Sequence, residues 1–162
     1  MKTLIIYYSL EGNTKYIAEN IAKELHAELM ELKTKKIYPS KGFKKYIWGG
    51  KSVVLKEEPE LLNTDIDFSS YNNIIIGTPI WAGTYAAPFN TFVNQYNITG
   101  KNIALFACHA GGGAKKCFNM FRQKLKNNYF VSEIDFIDPL KKNTEENLKK
   151  AIKWAELLSF HN

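Results

Sequence analysis

Three short, almost continuously apolar runs constrain the fold of this chain more than any other feature of its sequence. They cover Thr3–Tyr8, Asn73–Gly77 and Asn102–Cys108, and they are rich in isoleucine, leucine or tyrosine. Such runs are typical of strands that are buried on both faces of a parallel sheet. Two mixed runs, Glu28–Leu32 and Tyr129–Phe136, carry charges among apolar residues. We expect these two to be half-exposed edge strands.

Helical patterns lie between the five predicted strands. Apolar residues recur at intervals of three and four after Thr14, after Pro88, from Cys117 and after Thr144. This alternation predicts an α/β fold, a doubly wound five-stranded parallel sheet with helices on both faces. The order 2-1-3-4-5 puts the three apolar strands at the centre. Because that order reverses direction between strands 1 and 3, we expect a ligand crevice at their carboxyl ends.

The whole chain, residues 1–162, is predicted to form a single domain. The stretch 33–62, between strands 2 and 3, is too long for a simple connection and holds eight lysines. We interpret it as a partly helical surface excursion that replaces the usual second helix. Its basic part, Lys33–Lys56, predicts either a surface for an acidic partner or a solvated lysine-rich face.

Composition excludes several classes of protein. The net charge is +6, but Arg122 is the only arginine among 22 basic residues, and readout of nucleic-acid bases favours arginine. Two cysteines, Cys108 and Cys117, cannot alone hold an iron–sulfur cluster or a four-ligand zinc site, so we predict no metal site. No run approaches the ~20 apolar residues of a membrane span, and no signal-peptide cleavage site follows the first run. We therefore expect a cytoplasmic protein without nucleic-acid or membrane partners.

The first candidate site is the loop after strand 1, residues 9–14. It consists of Ser9, Leu10, Glu11, Gly12, Asn13 and Thr14. Backbone amides at the start of a helix, together with these hydroxyl and amide side chains, favour binding of a phosphate. An ordinary strand–helix turn capped by Asn13 or Thr14 is an equally good interpretation. The loop lacks the glycine patterns of nucleotide-hydrolysing and dinucleotide-binding proteins.

Two further candidate loops follow the other central strands. The second loop consists of Thr78, Pro79, Ile80, Trp81, Ala82 and Gly83. The third loop consists of Cys108, His109, Ala110, Gly111, Gly112 and Gly113. Trp81 offers its ring face to a planar ligand, although simple packing is the alternative. The third loop has amides that could donate to ligand carbonyl oxygens, or it is a flexible connection. The loops contain no coherent acid–base or nucleophile set, so no catalytic residue is assigned.

Two other classes with this strand alternation are excluded. A phospho-receiver domain needs acidic residues at the ends of strands 1 and 3, where this chain has Ser9 and Thr78. A small phosphatase needs an arginine six positions after its cysteine, and neither Cys108 nor Cys117 is followed by one.

Three loops of this kind in this order resemble the flavodoxin family, and more closely its short-chain members. Residues 9–14 match that family's phosphate loop, Ser/Thr-x-Thr/Glu-Gly-x-Thr, and Gly77–Trp81 is the other specific part. The resemblance implies that the first loop holds the phosphate of FMN and that Trp81 flanks the isoalloxazine. It also implies that Cys108–Gly113 takes the pyrimidine edge. The positive net charge departs from the acidic charge common in the family, which bears on the choice of partner.

The resemblance implies an FMN-binding carrier that shuttles single electrons between redox proteins, such as a reductase and a ferredoxin-like protein. An NAD(P)H-dependent flavin or quinone oxidoreductase on the same fold is the alternative, and Tyr46 and Trp48 of the excursion could supply its second pocket. A binding module without flavin is a third hypothesis. Whether the protein is an enzyme therefore stays open at this point.

Overall fold

A computed structural model describes residues 2–40, 44–63 and 65–160. The strands are β1 (Thr3–Tyr7), β2 (Glu28–Glu31), β3 (Asn73–Trp81), β4 (Thr84–Tyr85), β5 (Asn102–His109) and β6 (Tyr129–Ile137). The helices are α1 (Asn13–Leu25), α2 (Lys44–Val54), α3 (Pro88–Gln95), α4 (Ala114–Lys124) and α5 (Thr144–Glu156). A single 3-10 turn, Phe68–Ser70, precedes β3.

The parallel strands form one sheet in the order β2-β1-β3-β5-β6, and β4 pairs antiparallel with the end of β3. The sequence did not predict β4. The predicted strands 4 and 5 therefore correspond to β5 and β6 of the structure. The predicted order and the doubly wound architecture are confirmed. The three apolar strands occupy the centre, as expected from their burial on both faces.

Each face of the sheet has its own hydrophobic core. On one face Ile5 and Phe106 pack with Ile17 of α1 and Trp154 of α5. On the other face residues such as Ile76 pack with the aromatic residues of α3 and α4. Because the odd and even positions of β1, β3 and β5 are buried on opposite sides, these strands read as continuous apolar runs.

The close approach of β3 and β5 depends on Gly77. A Cβ built on Gly77 would lie 2.0 Å from Cζ of Phe106, far inside any real contact. Gly77 and Phe106 are register partners on these adjacent parallel strands. The glycine therefore provides the space that the Phe106 ring fills.

The second loop is a β-hairpin rather than an irregular connection, which corrects the sequence-based expectation. β3 continues through Trp81, and Ala82 and Gly83 turn the chain into β4. Both turn residues have positive φ, 46° and 79°, as a type I′ hairpin turn requires. The apolar pattern ended at Gly77, so it did not reveal that the strand extends four residues further.

The stretch 33–62 contains α2 and contributes Tyr38 and Leu61 to the core. Leu61 bridges Thr34, so the two ends of the stretch lie side by side. No helix among the described residues is long and apolar enough to cross a membrane.

Candidate functional site

A cleft opens at the carboxyl edge of the sheet and encloses about 850 Å³, its open mouth included. Eleven of the 18 predicted site residues line it: Leu10, Glu11, Asn13, Thr14, Pro79, Ile80, Trp81, Ala82, Cys108, His109 and Ala110. Four residues that the sequence did not single out complete the lining: Gly49, Gly50, Asp138 and Lys141.

The other seven predicted residues lie in the loops without lining the cleft: Ser9, Gly12, Thr78, Gly83, Gly111, Gly112 and Gly113. The Thr78 hydroxyl is used within the fold, because it accepts from the Ala86 amide at 3.1 Å and donates to the Pro79 carbonyl. Gly113 packs directly on the hairpin turn, since a Cβ at this position would lie 3.0 Å from Cα of Gly83. These residues shape the loops that carry the lining.

The first loop ends at Gly12, which takes the N-cap position of α1 with a φ of 91°. The Ser9 hydroxyl oxygen accepts from the Gly12 amide at 3.2 Å and holds the turn closed. No side chain caps α1, and Asn13 Oδ1 instead accepts from the Leu140 amide. Capping of α1 by Asn13 or Thr14, which the alternative of an ordinary turn assumed, is therefore wrong.

Thr14 lines the cleft and has a buried polar group without a partner among the described residues. Its hydroxyl is buried, with the residue 1% exposed, and it finds no hydrogen-bond partner among the described residues. The neighbouring Cys108 thiol is a weak hydrogen-bonding group, so it satisfies this hydroxyl poorly. Burial raises the pKa of the Cys108 thiol to about 12, so this thiol stays protonated at neutral pH. A buried hydroxyl without a partner calls for an explanation, and a bound ligand or water is one.

Trp81 forms one wall of the cleft within an aromatic cluster. Its ring meets Tyr8 and Tyr38 edge-on, with centroids 5.7 and 5.0 Å away. α2 lies against the same indole, because a Cβ on Gly49 would contact Trp81 Cγ at 3.5 Å. Trp81 is therefore 8% exposed, and a ligand can reach only the part of the ring that faces the cleft.

The third loop is organised by His109, whose side chain is almost fully buried. Its Nδ1 accepts from the Gly112 amide at 2.8 Å, and its Nε2 lies 2.8 Å from Asp135 Oδ2 on β6. An acceptor role for Nδ1 places the proton of the neutral ring on Nε2, where it is donated to the carboxylate. The Gly112 amide is consequently engaged by His109 and does not point to a ligand.

The loop after β6 supplies two of the four lining residues that the sequence did not single out, Asp138 and Lys141. Asp138 has a φ of 40°, and its carbonyl accepts from the amides of Lys141 and Lys142 in a tight turn. Lys141 Nζ then lies 3.6 Å from Glu11 Oε1 of the first loop. The carboxyl ends of all parallel strands meet at one edge, so the position after the last strand was a signal that could have been used.

The donor set fits an anionic, planar ligand such as FMN. The first loop has a buried unpaired hydroxyl beside the amides at the start of α1, which have no partner within the helix. The walls on the other side are the Trp81 ring and the backbone of the third loop. Among the described residues, no group of three or more His, Cys, Asp or Glu side chains could hold a metal ion.

Comparisons with known proteins identify similar sequences and structures. A model of the family described as Flavodoxin matches residues 2–156. A flavoprotein from Lactobacillus acidophilus NCFM, solved in complex with FMN, is 28% identical; the match covers 88% of this chain and 97% of that one, with a TM-score of 0.70. No curated protein is similar enough to match.

Two more distant structures share the fold. Oxidised Flavodoxin 2 from Bacillus cereus is 20% identical over 96% of each chain, with a TM-score of 0.58. The rubredoxin oxygen:oxidoreductase from Desulfovibrio gigas is 13% identical, and its match covers 97% of this chain but 35% of that one, with a TM-score of 0.61. Since the family model spans nearly the whole sequence, this chain belongs to the flavodoxin family.

Proposed function

We propose that this protein binds FMN in the cleft and carries single electrons between redox proteins. The observation that carries the proposal is the buried Thr14 hydroxyl, which has no partner among the described residues and stands at the start of α1. A phosphate at this position would accept from that hydroxyl and from the amides of the first helical turn. The similarity to a flavoprotein solved with FMN supports the same cofactor.

Each of the three loops would bind a different part of the cofactor. The first loop would hold the phosphate, Trp81 and Pro79 would flank the ring system, and Cys108–Ala110 would meet its pyrimidine edge. When bound, FMN supplies one-electron and two-electron redox chemistry. The chain binds the cofactor, orients it and limits its contact with water.

A carrier needs no catalytic residue, and the titratable groups of the cleft agree with this role. The Cys108 thiol is buried with a raised pKa, so it is a poor nucleophile. Both nitrogens of His109 are used by Gly112 and Asp135, which leaves neither of them to exchange protons with a ligand. These groups support a site that binds and tunes a cofactor rather than one that performs acid–base chemistry.

A flavin or quinone oxidoreductase is the second candidate, because an oxidoreductase of the same fold is known. It would need a second pocket beside the flavin. Gly49 and Gly50 of α2 line the cleft, whereas Trp48, which was expected to contribute, lies outside the lining. The side chain of Tyr46, the other residue expected there, lies outside the described part of the chain.

The visible absorption spectrum of the purified protein tests the proposal, with the flavin identified by chromatography after heat release. We expect a yellow protein that releases FMN and whose bound flavin is reduced through a separate reductase. Rapid reduction by NADH or NADPH alone would favour the oxidoreductase. A colourless protein that ignores added FMN would contradict both.

A further inference from the structure

The positive charge of this protein is concentrated in one segment. Residues 33–56 contain eight lysines and no acidic residue, so this segment is more positive than the whole chain at +6. The remaining residues together are slightly acidic. The basic character is thus a local property of the segment that contains α2.

The outward face of α2 is apolar as well as basic. Ile47, Trp48 and Leu55, the last just beyond the helix, are exposed by 53%, 39% and 65%. The ammonium groups of Lys36 and Lys51 lie 5.2 and 5.4 Å from the centre of the Trp48 ring. Large apolar side chains that remain exposed beside charged groups mark interaction sites more often than chance.

The opposite face of α2 is a wall of the proposed flavin site. Gly49 and Gly50 line the cleft, and a Cβ on Gly49 would lie 3.5 Å from Cγ of Trp81. A helix with its side chains is roughly 10 Å across. A protein docked on the outward face would therefore stand about one helix thickness from the cleft, within a distance useful for electron exchange.

We propose that the outward face of α2, formed by Ile47, Trp48, Lys51 and Leu55, is the docking surface for an acidic electron-transfer protein. The proposal rests on the proposed carrier function. A half-exposed tryptophan beside large apolar side chains and a lysine has the composition of an interface hot spot. Lys51 and the net positive charge of residues 33–56 would steer an acidic partner to this face.

A protein partner fits this face better than a lipid surface does. Ile47, Lys51 and Leu55 stand four residues apart on one stripe, so the stripe has an ammonium group at its centre. An amphipathic helix that inserts into a membrane keeps its charges on the opposite, polar face. Here insertion of Ile47 and Leu55 would carry Lys51 with them, whereas an acidic protein can pair with it.

Stopped-flow electron exchange between the FMN-loaded full chain and a small acidic [4Fe–4S] ferredoxin tests the proposal. The variants are Trp48→Ala and Lys51→Glu. Tyr129→Ala and Lys126→Glu are matched controls, because these exposed residues lie at the amino end of β6, opposite the cleft. None of the four residues lines the cleft, so every variant should keep its flavin. Flavin content is measured for each variant to check this.

We expect Trp48→Ala and Lys51→Glu each to lower the second-order rate about tenfold, with the controls unchanged. The wild-type rate should fall as salt rises. Equal rates for variants and controls would overturn the proposal. The proposal would also be overturned if the wild type bound vesicles with 30% anionic lipid, and if these variants abolished that binding without changing the rate with ferredoxin.

The proposed function can fail separately. If the protein holds no FMN, calorimetric titration with the same ferredoxin still measures docking. Loss of that binding in Trp48→Ala and Lys51→Glu, but not in the controls, would support the docking surface alone. Binding that is absent or indifferent to these variants would overturn it.

Discussion

The first and third loops border the same cleft but treat their polar groups in opposite ways. The first loop leaves the Thr14 hydroxyl buried without a partner among the described residues. The third loop satisfies its own donor, because the Gly112 amide is bound by His109, which is held in turn by Asp135. We therefore propose that a ligand completes the first loop, whereas the third loop is a preformed wall. A preformed wall selects a ligand by its shape, whereas a loop with an unpaired donor selects a ligand by its charge and hydrogen-bond acceptors.

Trp81→Ala should have the largest effect on stability and on flavin affinity. Trp81 lies between the two loops and is expected to contact the ring system, which FMN and riboflavin share. Replacing a buried tryptophan by alanine should lower the free energy of unfolding by roughly 3–5 kcal/mol. The affinity for both FMN and riboflavin should fall by roughly 1–3 kcal/mol, by analogy with base–aromatic stacking. Thermal unfolding and fluorescence titration measure the two effects.

Fluorescence can also locate the ring that meets the flavin. FMN should quench the emission of wild type and of Trp48→Phe strongly. If the quenching disappears in Trp48→Phe, the segment that contains α2 forms the ring wall and the role given to Trp81 is wrong.

Thr14→Ala should weaken the binding of FMN much more than the binding of riboflavin. Loss of one hydrogen bond to a charged group costs roughly 1.5–3 kcal/mol, which is about 10-fold to 100-fold in affinity for FMN. Riboflavin lacks the phosphate and should bind almost as it does to wild type. Thr14→Ser restores the hydroxyl and should restore FMN binding. Equal losses for both ligands would show that the first loop does not hold the phosphate.

His109→Ala should weaken both ligands by a similar, smaller amount. It removes the acceptor of the Gly112 amide, and a hydrogen bond of this kind contributes roughly 0.5–1.5 kcal/mol. Hydrogen exchange at the Gly112 amide should become faster, which reports the loss of order directly. An increase in flavin affinity would mean instead that His109 competes with the ligand for this amide.

Ionisation of the Cys108 thiol should lower the free energy of unfolding in alkali. Its pKa in the folded protein, about 12, lies above that of an unfolded thiol. The folded state keeps this proton longer, so the stabilisation is complete below about pH 9 and is lost as the pH rises toward 12. Cys108→Ala should flatten the fall in unfolding free energy over this range. A slope identical to that of wild type would show that other buried groups cause it.

Local sequence patterns identified the sheet well but the cleft only in part. The strands β1, β3 and β5 were found because burial on both faces makes them continuously apolar, and their central position follows from it. β4 has only two residues, so no period can reveal it. Asp138 and Lys141 come from the end of a mixed strand, and Gly49 comes from a segment that only tertiary packing brings to Trp81. Likewise, the pairing of His109 with Asp135 spans 26 residues and leaves no local trace.

The contact between Gly77 and Phe106 restricts how this family branch can evolve. A side chain at position 77 would occupy the space of the Phe106 ring, so a single replacement there is blocked while the phenylalanine remains. A smaller residue at position 106 would open a cavity while the glycine remains. Each first step is deleterious, and only a paired exchange keeps the volume constant. Relatives should therefore divide into two groups, one with glycine opposite a large residue and one with a larger residue opposite a small one, with few sequences between them.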